Sequence, residues 1–178
     1  MSNEEKWRAS ALRDRADADA FIAARLLARH SICRLRRPDA ALPLRLDQSC
    51  PTCGGTDHGR PLPLHDDLHV SWAHARGVVA AAASPAPIGV DIEPLSAADQ
   101  CAAVWPEEVS TPAAELLARW VEAEAAVKCG LLTLDEVLAS GGPALPAGWR
   151  ADHSRVCGAM AGWVTVLDAP PTDVTVYL

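Results

Sequence analysis

Ile88-Gly89-Val90-Asp91-Ile92-Glu93 is the stretch that decides how this chain is read. Apolar residues alternate there with polar ones, and residues two apart on a strand face the same way. The segment therefore reads as a strand, with Val90 and Ile92 on one face and Asp91 and Glu93 on the other. Just upstream, residues 78–83 form an apolar run that stops at Ser84-Pro85-Ala86-Pro87, a turn. The two runs are expected to pair as a hairpin. Further upstream, residues 70–72 read as a short extended piece and 50–63 as a Cys-, Gly- and Pro-rich loop. Residues 16–35 space Phe21, Ile22, Leu26, Leu27 and Ile32 as a helix does, and Pro38 ends it.

Downstream, 94–112 is irregular. Residues 113–130 form a strong helical pattern closed by Gly130, with Ser110 or Thr111 as N-cap and Pro112 in the first turn. Residues 141–148 read as a loop. Residues 162–167 and 174–178 read as strands around Pro170-Pro171. There is no internal repeat, and this order of elements implies an α+β or mixed fold.

The chain has 178 residues, 49% of them hydrophobic, enough for one compact domain or two small packed halves. No run of about 18 apolar residues suggests a membrane span. The first residues are polar and charged and lack the apolar stretch of a secretory signal, so a cytoplasmic protein is expected. The six cysteines are then expected as reduced thiols. A net charge of −7 speaks against nucleic-acid binding. The charge is uneven: residues 1–87 hold 12 Lys+Arg against 10 Asp+Glu, and residues 88–178 hold 4 against 13. A basic half suits a phosphate-rich ligand and an acidic half a metal, although ordinary solvated surface explains the same counts.

Four constellations carry chemistry. Asp91 and Glu93 share one strand face and repel each other unless a cation stands by them. Mg²⁺, which takes oxygen ligands and bridges to phosphates, is one solution, and a plain exposed strand face is the other. Glu124 falls in the helical stripe of Leu117, Trp120, Val127 and Leu131, where an acid needs a partner or a metal. Lys128 lies one turn on, so a simple Glu124–Lys128 surface pair is the alternative. His74 is a lone histidine ahead of the apolar run. Cys50-Pro51-Thr52-Cys53 is half of a zinc knuckle, and a zinc site there would need His58 and His65 or another partner.

In order along the chain stand Val70-Ser71-Trp72-Ala73-His74-Ala75, Gly89-Val90-Asp91-Ile92-Glu93 and Trp120-Val121-Glu122-Ala123-Glu124-Ala125-Ala126-Val127-Lys128, with Gly59-Arg60-Pro61 ahead of them. Together these segments resemble the surfactin-synthetase-activating (Sfp-like) 4′-phosphopantetheinyl transferases. That family carries S-H-S, G-[IV]-D-[IV]-E, W-x-x-K-E-A-x-x-K and G-[KR]-P segments in the same order. The likeness covers roughly residues 16–130. Ala73 and Ala75 depart from it at the serines flanking the histidine, Arg76 at a glycine and Ala123 at a lysine.

The resemblance implies an α+β pseudo-dimer of two similar halves, here 1–87 and 88–178, with the active site between them. It implies Mg²⁺ held by Asp91, Glu93 and Glu124, and Lys128 on the phosphates of coenzyme A. His74 would meet the 3′-phosphate, Arg60 would lie beside the adenine, and Arg8 or Arg15 would add to the 3′-phosphate site. Glu124 and Lys128 would act in catalysis. The activity implied is transfer of the 4′-phosphopantetheine arm of coenzyme A to a serine of an apo acyl or peptidyl carrier protein by a monomer, with no nucleic acid and no membrane involved. A homologue that binds coenzyme A or carrier protein without transfer, and a small zinc module, are the rival expectations.

Overall fold

A computed structural model describes residues 1–36, 46–50, 53–56, 59–63, 67–75, 77–167 and 173–177. Pro38, Arg76, Pro170 and Pro171 lie outside these residues. The chain opens with helix α1 (Asn3–Ala11) and helix α2 (Arg15–Leu35), followed by strands β1 (Leu46–Ser49) and β2 (Arg60–Pro63). Strands β3 (His69–Ala75), β4 (Val78–Ser84) and β5 (Ile88–Pro94) come next, then the short helix α3 (Ala98–Ala102) and helices α4 (Ala113–Cys129) and α5 (Leu134–Ser140). Strands β6 (Trp149–Val156), β7 (Ala159–Val166) and β8 (Asp173–Tyr177) complete the described chain. All ladders between them are antiparallel, so the architecture is α+β. Among the described residues no helix is long and apolar enough to cross a membrane.

The expected pairing of 78–83 with 88–93 does not form. β4 pairs with β3 and β8, whereas β5 pairs with β7, which pairs in turn with β6. The reason lies in Ser84-Pro85-Ala86-Pro87. Two prolines offer no N–H to a ladder, and the Ser84 hydroxyl instead accepts from Ala86 N at 3.0 Å. The segment therefore carries the chain from one sheet into the other. β4 is buried along its whole length, which explains why its sequence runs without alternation. Val79, Ala81 and Ala83 join α2 in one apolar cluster. Ala80 and Ala82 join Ile88, Val90 and Ile92 of β5 in another. The last strand, β8, returns to the sheet of the first half.

The helix at 16–35 is present, with part of the expected stripe turned inward. Ala24, Leu27, Ala28 and Ile32 are buried, while Leu26 is half exposed. The loop at 50–63 is shorter than expected, because β2 starts at Arg60 and pairs with β1. Helix α4 ends at Gly130 in the left-handed conformation, as its sequence suggests. Its start differs. Pro112 holds the N-cap position without a side-chain bond, and Thr111 donates to Glu108 instead, at 2.6 Å. The strand at 162–167 begins earlier, at Ala159. α1, α5 and β6 carry no strong apolar period. α1 and α5 rest on capping boxes, Ser2 with Glu5 and Thr133 with Glu136.

Candidate functional site

α4 lies directly on β5 and β7. A side chain at Gly89 would fall on the carbonyl oxygen of Ala125, and one at Gly162 would meet Val121 Cγ2 at 2.7 Å. The two glycines let the helix backbone approach the sheet, and that approach brings Glu124 and Lys128 to the Asp91 face of β5. The alternation read from the sequence holds: Val90 and Ile92 face the core, and Asp91 faces α4.

Asp91 is not the accessible carboxylate that a half-buried strand suggests. It is 5% exposed, and its Oδ1 accepts from the Lys128 ammonium. Lys128 thus reaches across to β5 for its ion pair, and the expected Glu124–Lys128 alternative gives way to it. Asp91 Oδ2 is buried with no hydrogen-bond partner. Burial, then the charge of Asp91, raise the Glu124 carboxyl above the usual carboxylate range. Burial, then Asp91 and more weakly Glu124, do the same to Glu93. The three acids thus feel one another's charge, and the Lys128 ammonium is bonded to Asp91. Among the described residues no three His, Cys, Asp or Glu side chains are drawn together tightly enough to form a ready metal-ligand set. The donor chemistry nonetheless suits a hard divalent cation, because the oxygens are all carboxylate and one is buried without a partner.

Beside the acids is a cleft of about 460 Å³ lined by Arg60, Trp72, His74, Val127 and Lys128, with Gly59 and Ser71 among its other walls. The Arg60 guanidinium rests on Gly130, where a side chain would strike it. It sits at the C-terminal end of α4, the end that favours a cation. His74 is solvent-accessible at the rim, yet the crowding around it, followed by the Lys128 charge, holds its imidazole below the usual range. No family model and no curated protein matches this chain.

The remaining candidates divide. Arg8 faces a separate polar cavity of about 320 Å³, with Glu5, Arg25 and Gln48. It donates to Gln48 Oε1 at 3.0 Å and to the Thr56 carbonyl at 3.4 Å. Arg15 stands at the start of α2 with a side chain 94% exposed, 3.7 Å from Asp19, and is not drawn into the cleft. By Cys50 and Cys53, Gly54 N donates to the Cys50 carbonyl at 2.9 Å and Gly55 N to Cys53 Sγ at 3.4 Å. The other proposed zinc partners, His58 and His65, lie outside the described residues. Cys33, Cys101, Cys129 and Cys157 are free thiols.

Arg25 is the residue that sequence reasoning missed. It is 4% exposed, and burial, then the Arg8 charge, push it down to about 10. The signal was present: Arg25 follows Phe21 by one helical turn, in the stripe that α2 buries. Ser71 was missed as well. Its hydroxyl accepts from Val90 N at 3.0 Å and ties β3 to β5 where no ladder joins them.

Proposed function

We propose that this chain transfers the 4′-phosphopantetheine arm of coenzyme A to a serine of an apo carrier protein, with Mg²⁺. One observation carries the reading: buried Asp91, with one oxygen on Lys128 and the other unpartnered, stands with Glu93 and Glu124 beside a cleft walled by Arg60, His74 and Lys128. Anions need cations around them and a metal needs oxygens, and the two sets adjoin. The sheet orders β3-β4-β8 and β6-β7-β5 are alike, each with a hairpin that follows a long helix. That likeness supports reading the molecule as a pseudo-dimer whose halves meet near this cleft.

In this reading Asp91, Glu93 and Glu124 hold the Mg²⁺, which supplies neutralisation of the pyrophosphate charge. Lys128 binds the phosphates. Arg60 lies beside the adenine, while His74 meets the 3′-phosphate. The serine Oγ forms a bond to the β-phosphorus. The bond from that phosphorus to the oxygen of 3′,5′-adenosine bisphosphate breaks, and the nucleotide leaves with the electron pair. Glu124, or a water beside it, accepts the serine proton.

The test is incubation with apo carrier protein, coenzyme A and Mg²⁺, followed by mass spectrometry of the carrier. A carrier heavier by one phosphopantetheine arm is expected, and unchanged carriers of the fatty-acid, polyketide and peptide-synthetase kinds would sink the reading. A second reading, binding without transfer, draws on Ala73 and Ala75, which leave His74 without flanking hydroxyls. It predicts coenzyme A binding with no mass gain.

A further inference from the structure

None of the roles above falls to Arg25, yet it lies at the centre of the contacts behind the cleft. Its guanidinium sits 3.3 Å from the centroid of the Phe21 ring and 4.9 Å from that of Trp72, which lines the cleft. Nη1 donates to the Phe21 carbonyl at 3.1 Å, and Nη2 to Gln48 Oε1 at 2.7 Å. Glu5, 3.9 Å away, is its counter-charge. Guanidinium groups only donate. Arg8 and Arg25 therefore both take the oxygen of the Gln48 amide, and the Gln48 nitrogen is left to donate to the Gly59 carbonyl at 3.1 Å. Gly59 precedes Arg60, and Arg60 rests on Gly130 at the end of α4. A continuous line of contacts thus runs from α2 through Gln48 to the cleft wall and on to α4.

We propose that Arg25 is a positioning residue that clamps Gln48 and Trp72 and so fixes the Gly59–Arg60 wall of the cleft. What the cleft takes rests on the function proposed above, but the clamp itself does not. The role needs a planar fork that stacks on two rings while it hydrogen-bonds in its own plane. Lysine keeps the charge but cannot do this.

Arg25→Lys and the milder Gln48→Ala test the clamp in the full chain, and the second keeps the test open if the first fails to fold. Hydrogen exchange read over 46–49 and 60–63 should quicken about tenfold in both variants, with the β5–β7 ladder unchanged. An unchanged hairpin, or equal quickening everywhere, overturns the clamp. In transfer assays the KM for coenzyme A should rise about tenfold with kcat held within about twofold, and the same change should cost less than about twofold in an Arg60→Ala background. Equal losses in both backgrounds overturn it too. If the parent chain transfers nothing, the proposed function fails and the exchange result alone judges the clamp.

Discussion

At the residue scale, Glu124 separates a metal site from a plain cluster of acids. Its carboxyl is raised by burial and by Asp91, so in the metal-free chain its ionisation opposes folding. A raised carboxyl contributes stability that is present at low pH and lost as pH rises through its folded value. Glu124→Gln should therefore be at least as stable as the parent without metal near neutral pH, and that advantage should shrink as pH falls through the raised range. Mg²⁺ should raise the parent melting temperature, coenzyme A should raise it further, and the Mg²⁺ gain should not survive Glu124→Gln. Melts of parent and variant with and without Mg²⁺, across pH, decide this, and an undiminished Mg²⁺ response in the variant removes Glu124 from the metal. His74 makes a second, independent case. His74→Ala should weaken coenzyme A more than dephospho-coenzyme A in calorimetric titrations, because only the former carries the 3′-phosphate. Equal losses on both ligands would take that role from His74.

At the element scale, the site depends on how closely α4 lies on β5. Gly89 has an ordinary backbone conformation, so Gly89→Ala acts through space alone: its new methyl group falls on Ala125. Overpacking of this kind costs about 1–3 kcal/mol. The helix must shift, and Glu124 and Lys128 shift with it. Urea unfolding should report the loss, and the Mg²⁺-dependent gain in melting temperature should fall in the same variant. A variant with parental stability and a parental Mg²⁺ response would show that the close approach is unnecessary. The β5 alternation was legible because period 2 belongs to the strand itself. The pairing of β4 was not legible, because a strand buried on both faces by α2 and the other sheet has no polar face to mark its partner. β6 was missed for the opposite reason: it is an edge strand whose residues are mostly exposed or half-buried.

At the scale of the whole molecule, the last described strand closes the first sheet. β8 pairs with β4 from Val79 to Ala83, and Val174 packs against the cluster where the two sheets meet. Removal of residues 168–178 should therefore destabilise the amino-terminal half, although the residues removed lie at the opposite end of the sequence. The truncated chain should melt several degrees lower, with faster exchange along β4 and no comparable change along β6. A truncated chain with the parental melting temperature would show that β8 adds nothing to the sheet. The charge division at residue 87 agrees with the two sheets only in part, since the acidic second half lends β8 to the basic first half.

The sequence by itself determined the long helices, the left-handed Gly130 terminus, the in–out order along β5 and the candidate acids. Each of these depends on neighbours within one turn or two residues, where periodicity and local sterics suffice. Only the tertiary structure decided that β4 and β5 enter different sheets, that Asp91 is buried, that Lys128 bonds Asp91, and that Arg25 holds Gln48 and Trp72. Those contacts join residues far apart in the chain. Whether a carboxylate is hidden or an arginine is clamped depends on which surfaces pack together, and no local pattern encodes that.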